Sequence, residues 1–162
     1  MLDGGGAVAA AATIQSVVAR DLTLVGLFKI LDPSAVLANL QQEGTGIEPR
    51  DWDSIGAQGV VKARVTLSGG QLAADFFLYD VAAGNRPVLG RHYTGSTGAA
   101  RQLAHRFADE VVRHYTGAPG FFSSKIAFSS GRGQSQEYNL ALGDRRARSV
   151  KRYLERLSRG AG

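Results

Sequence analysis

An α+β domain of the α/β class, with an antiparallel-rich mixed sheet and helices packed on it, is the fold predicted by three patterns in the sequence. In one early segment and one late segment, apolar residues recur every three or four positions, the spacing of a helix with one buried stripe. Between them, apolar and polar residues alternate, the period of half-exposed strands. Glycine-rich turns join these alternating runs, so consecutive strands are expected to run antiparallel. A chain of 162 residues with 44% hydrophobic and 20% charged side chains is sized for one domain and can bury a core.

The elements follow in order. From Val8 to Leu27, the residues Ile14, Val17, Val18, Leu22 and Val25 form one helical stripe, and Gly26 weakens its end. Asp32-Pro33 is a helix start, a capping carboxylate followed by a proline whose missing N–H costs nothing there, and Ala35 to Leu40 continue it. Glu43 to Ile55 reads as loop or a short turn of helix. Val61, Ala63, Val65 and Leu67 alternate with Lys62, Arg64 and Thr66, predicting a strand that Ser68-Gly69-Gly70 turns. Gln71 to Val81 supplies a second strand with Leu72, Ala74, Phe76 and Leu78 on one face, and Val88 to Tyr93 a third. A helix from about Ala99 to Tyr115 places Leu103, Phe107, Val111 and Tyr115 in a row toward the sheet, and Gly117 and Pro119 stop it. Ser124 to Ser129 is a last short strand. The chain then enters a helix ending near Leu157, with Leu142, Val150, Tyr153, Leu154 and Leu157 as its apolar stripe.

Charge is distributed unevenly. Through Ser130 the chain carries eleven Lys and Arg against eleven Asp and Glu; the last 32 residues carry eight against three, and so hold the entire net charge of +5. A step this sharp marks a boundary of domain or motif. With no cysteine, disulfides, thiolate metal sites and thiol nucleophiles are excluded. The apolar run Ala7 to Ile14 is too short to span a bilayer, and Asp3 stands where a secretory signal needs positive charge. Gly4-Gly5-Gly6 lacks the Gly-Lys-Ser/Thr of a phosphate loop.

Candidate chemistry is sparse. His105 and Asp109, and likewise Glu110 and His114, are four residues apart on one helix, so each pair is within reach as a surface ion pair. No Gly-x-Ser-x-Gly elbow accompanies them, and the spacing of His105 and His114 does not match the His-Glu-x-x-His of a zinc helix. No catalytic residue, metal or cofactor is therefore expected. Asp51 and Asp53 flank Trp52 in a polar stretch that reads as a solvated loop with an anchoring tryptophan. The seven cations from Arg145 to Arg159 suit nucleic-acid phosphate, an acidic protein or an anionic wall polymer, or else form the solvated face of an amphipathic helix.

Two blocks carry a family resemblance. Ala104-His105-Arg106-Phe107-Ala108-Asp109-Glu110, then Thr116-Gly117-Ala118-Pro119-Gly120-Phe121-Phe122-Ser123-Ser124-Lys125-Ile126-Ala127-Phe128, together with Asp21-Leu22, Leu31-Asp32-Pro33 and Val60-Val61-Lys62-Ala63-Arg64-Val65, resemble the TolB amino-terminal domain over about residues 14–128. Arg132-Gly133 and the run Tyr138-Asn139-Leu140-Ala141-Leu142-Gly143-Asp144-Arg145-Arg146-Ala147-Arg148 resemble the loop and helix of the OmpA-like peptidoglycan-binding domain of Pal, over about residues 131–157. The implied layout is a TolB-like domain, 1–130, joined as a chimera or rearranged fragment to a Pal-like basic loop and helix, 131–162, packed on the same domain.

The resemblance implies a non-catalytic binding or scaffold role in the periplasmic Tol-Pal system, with TolA and Pal as partners. It also implies peptidoglycan binding through Arg146, whose planar fork would grip a carboxylate bidentately. The sequence departs from both patterns. The Pal-like Thr-Asp pair falls at Ser129 and Ser130, so the aspartate that partners the arginine is missing. The TolB segments that engage TolA and Pal, and a first strand ahead of Val8, are expected to be absent. Nucleic-acid binding by the basic helix is the alternative from another class.

Overall fold

In the computed structural model, which describes residues 4–32, 34, 36 and 38–124, a three-stranded antiparallel meander forms the frame. Its strands β1 (Gly59–Ser68), β2 (Gln71–Asp80) and β3 (Leu89–Ser96) lie in chain order with β2 central. The register sets Ala63 against Phe76 and Val65 against Ala74, then Phe76 against Arg91 and Ala74 against Tyr93. Residues directly opposite in a sheet share a face. Val61, Ala63, Val65 and Leu67 therefore stand on the same side as Leu72, Ala74, Phe76 and Leu78, as the alternation predicts. Among the described residues the sheet is wholly antiparallel. The predicted strand from Ser124 to Ser129 lies outside them except for Ser124, which is not in a strand.

That face is covered by two helices, α1 (Gly4–Val25) and α4 (Ala100–Thr116). Ile14, Val17, Val18 and Leu22 of α1 and Leu103, Phe107 and Val111 of α4 are buried with Leu72, Ala74, Phe76 and Leu78 of β2 in one cluster. Phe107 stacks on Phe76 with ring centroids 4.6 Å apart, and both rings are fully buried. The helices run side by side in the same direction: Asp21 meets His105, and further along Phe28 meets Tyr115 edge-on at 5.4 Å. Gly95 faces this layer opposite Leu72. A Cβ there would come within 2.7 Å of Ala99 Cβ, so the crossing from β3 into α4 requires a glycine. Gly117, left-handed at φ 72°, ends α4 by donating its N–H to Arg113 O at 2.8 Å, as the sequence predicts.

The opposite face is covered at one end only. Val60 and Tyr79 join Leu40, Ile47, Trp52, Ala57 and Val81 in a second buried cluster, built from the segment between α1 and β1. That segment holds two short helices, α2 (Ala38–Gln42) and α3 (Pro49–Ser54), the latter begun by a proline at its first turn. The stretch from Glu43 to Ile55 thus takes the helical alternative over Pro49–Ser54.

The Asp32 carboxylate acts as the expected cap, accepting the N–H and the hydroxyl of Ser34 at 2.8 and 2.7 Å; Ser34 is in a 3₁₀ turn, and among the described residues the α-helix of this segment covers Ala38–Gln42. Two other expectations need correction. Tyr115 does not complete the buried row. It is 46% exposed at the last turn of α4, where the helix has reached the end of β1 and the ring lies beside Gly59. The apolar run Ala7 to Ile14 is part of a longer apolar helix: α1 spans 22 residues, with an 18-residue window of mean hydropathy 1.3, enough by length and composition to cross a membrane. Its buried stripe is packed on the sheet and α4, the placement of a core helix.

Truncating Phe107 to Ala removes the ring stacked on Phe76, and is expected to cost about 3–5 kcal/mol. Urea unfolding followed by far-UV circular dichroism measures it.

Candidate functional site

Of the four side chains paired along the helix in the sequence, His105, Asp109 and Glu110 are held by partners from outside it. His105 Nδ1 lies 2.6 Å from Asp21 Oδ2 on α1, not against Asp109. Asp21 is only 3% exposed, so this pair is a polar tie between helices set into an apolar seam. Glu110 does not meet His114 either. Its carboxylate accepts from Arg91 Nη2 on β3 at 2.9 Å, while His114 stands edge-on to Tyr115 at 5.1 Å. Arg106 places its guanidinium 4.6 Å from the ring centre of Tyr93, also on β3. Both expected helix pairs are thus overturned. An exposed i, i+4 pair is worth only tenths of a kcal/mol, so partners on adjacent elements displace it readily.

Asp109 has a different role. Its two oxygens accept from Phe122 N at 2.8 Å and Ser123 N at 2.9 Å, and Ser123 Oγ donates to the same carboxylate. The third histidine, His92, lies 2.6 Å from Asp75 across β2 and β3, where both side chains are solvent-exposed.

Asp51 and Asp53 remain exposed on α3, and Trp52 between them is buried, the anchor expected of it. The polar group that matters here is Glu43, which no pattern in the sequence singles out. Its Oε2 accepts from Trp52 Nε1 at 2.8 Å and from Lys62 Nζ at 3.3 Å, and its Oε1 from Glu48 N at 3.0 Å. Lys62 also reaches Leu40 O at 3.2 Å and lies 5.1 Å from the Trp52 ring centre. Burial pushes the Glu43 carboxyl up, but the hydrogen bonds from Trp52, Glu48 and Lys62, with the Lys62 charge, outweigh it and hold the group below its ordinary 4.5. Nearby, Tyr79 donates to Thr45 O at 2.5 Å, and burial raises its phenol above the usual 10. The alternation of β1 marks Lys62 as an outward, solvated residue. The only signal for its partners is that a lone tryptophan so near two acids needs an acceptor for its indole N–H.

An open groove of about 330 Å³ runs between the first half of α1 and the start of α4, lined by Gly6, Ala9, Thr13, Thr97, Gly98 and Arg101 among others. Among the described residues no group of three or more His, Asp or Glu side chains is placed to hold a metal ion. Arg146 and the basic segment predicted to be helical lie outside the described residues.

An antiparallel sheet backed by two parallel helices, with its ionisable groups joining one element to the next, defines an α+β helix-on-sheet domain. The chain belongs to the TolB amino-terminal domain family, whose sequence profile matches residues 2–87. The match therefore begins ahead of residue 14, before the first residue of α1. The chain is 39% identical over 135 residues to the Tol-Pal system protein TolB of Syntrophotalea carbinolica, covering 82% of this chain and 31% of that protein. With the Tol-Pal system protein TolB of Anaeromyxobacter dehalogenans the identity is 44% over 125 residues, covering 76% of this chain and 29% of the relative. Both alignments must run well past residue 87, and they include part of the region that carries the α4 block. The crystal structure of TolB from Acinetobacter baumannii matches with a TM-score of 0.59 at 25% identity, over 68% of this chain and 27% of that one. The chain spans about three tenths of the length of these curated relatives.

Two outcomes test the polar contacts. His105→Ala leaves the Asp21 carboxylate buried and unpaired, and is expected to cost about 3 kcal/mol in urea unfolding; replacing both residues by leucine is expected to cost less than that single change. Glu43, whose folded-state value lies below 4.5, contributes stability that is complete above 4.5 and is lost as pH falls through the lower, folded value. Glu43→Gln is therefore expected to flatten the acid limb of a stability-versus-pH curve while lowering stability at neutral pH.

Proposed function

We propose that this chain is a non-catalytic binding and scaffold domain of the Tol-Pal cell-envelope system, acting in the periplasm. The observation that carries the reading is family membership over residues 2–87, with relatives whose names place them in that system. The site geometry is consistent with it. The pairs Asp21–His105 and Asp75–His92 join α1 to α4 and β2 to β3, and Asp109 joins α4 to the turn that follows it. Its partners are proposed to be other Tol-Pal proteins, TolA or Pal. Titration calorimetry of the whole chain against purified TolA and purified Pal is expected to give saturable binding to at least one. No measurable heat or complex with either overturns the reading.

A second reading rests on the ordered Tyr138-Asn139 to Arg148 motif rather than on the fold. In it Arg146 grips a carboxylate of the acidic wall peptide through its two-pronged guanidinium. Pull-down with diaminopimelate-containing wall fragments is expected to retain the chain and to lose it on Arg146→Ala; equal retention of both removes the reading.

A further inference from the structure

The geometry points to residues 117–123 as a strap that folds back along α4 and is latched by one carboxylate, Asp109. The strap begins at a defined hinge. Thr116 Oγ donates to Val112 O at 2.8 Å and accepts from Ala118 N at 3.1 Å, while left-handed Gly117 turns the chain out of the helix. With a rise of about 1.5 Å per residue, Asp109 lies about 10 Å back along α4 from Thr116, so the chain must reverse to reach it. It does so: the N–H of Phe122, the N–H of Ser123 and the hydroxyl of Ser123 all end on the Asp109 carboxylate.

The fit is close as well as polar. Gly120 lies flush against Asp109, and a Cβ there would overlap Asp109 Cα, Cβ and Oδ1. Phe122 packs against the main core, whereas Phe121 is 38% exposed. This contact explains a pairing the sequence leaves unexplained, since Asp109 in one block and Gly120, Phe122 and Ser123 in the other form a single lock.

What makes it a device rather than another packing contact is that three donors converge on one group outside the core. Removing that carboxylate takes away all three bonds at once. The Phe76–Phe107 stack and the Asp21–His105 tie use other atoms, and so hold the helix–sheet body without it. The strap thus has its own open–closed equilibrium, at a lower free energy than unfolding of the body. Closed, it fixes the point beside α4 where the chain passes Ser123. Open, it swings about Gly117 and vacates the place of Phe122 on the core.

Amide hydrogen exchange of the whole chain by NMR tests this. Asp109→Ala is expected to speed exchange at Phe122 and Ser123 by about tenfold or more, while the α4 amides from Ala104 to Val112 change by less than about twofold. Gly120→Ala, which forces the strap off an intact carboxylate, is expected to give the same local pattern. It decides the matter alone if Asp109→Ala does not fold. Unchanged exchange at Phe122 and Ser123, or acceleration of α4 by the same factor as the strap, overturns the proposal.

Discussion

The stack of Phe107 on Phe76 is the contact from which the rest of the structure follows. Phe76 lies near the middle of β2, the central strand, so its ring is a fixed point on the one sheet face that bears both helices. Seating Phe107 there sets the height and rotation of α4 on the sheet. Once that rotation is set, Leu103 and Val111 fall onto the core, His105 turns toward α1, and Arg106 and Glu110 turn toward β3. Burying each large apolar side chain is worth about 1.5–3 kcal/mol, whereas the exposed ion pairs around it are worth at most about 1. Packing therefore decides where the charges lie.

The ion pairs divide by burial into two kinds. Arg91–Glu110 and His92–Asp75 are open to solvent, and act as register marks on β3 rather than as sources of stability. Asp21–His105 and Glu43–Lys62 are largely shielded, and each has a partner whose removal leaves a buried group unsatisfied. Asp21 ties helix to helix, and Glu43 ties the segment before β1 to β1 itself through Lys62 and to α3 through Trp52. These two carboxylates occupy the two layers, one on each side of the sheet.

Membership of the TolB amino-terminal family accords with this economy. Among the described residues the paired ionisable groups join one element to the next, and what a fold does is decided by its sites and surfaces rather than by the fold itself. The proposed release of the strap after α4 gives up the Phe122 contact but leaves the Phe76–Phe107 stack and the Asp21–His105 tie in place.

By itself the sequence determined the three-strand meander, the two long helices, the core face of β2 and the stop at Gly117. All of these follow from periods of 2 and 3.6 residues and from the stereochemistry of glycine, which are local properties of the chain. Which partner each charged group takes was not legible. A sequence shows that Asp109 lies four residues from His105, but not that Asp21, 84 residues away, lies nearer, nor that Ser123 and Phe122 return to claim Asp109. Nor does the outward position of Lys62 on β1 disclose that Glu43 and Trp52 shield it. Tertiary structure alone decided these pairings, because a polar contact is worth too little to impose a fold and forms wherever packing has already brought its two halves together.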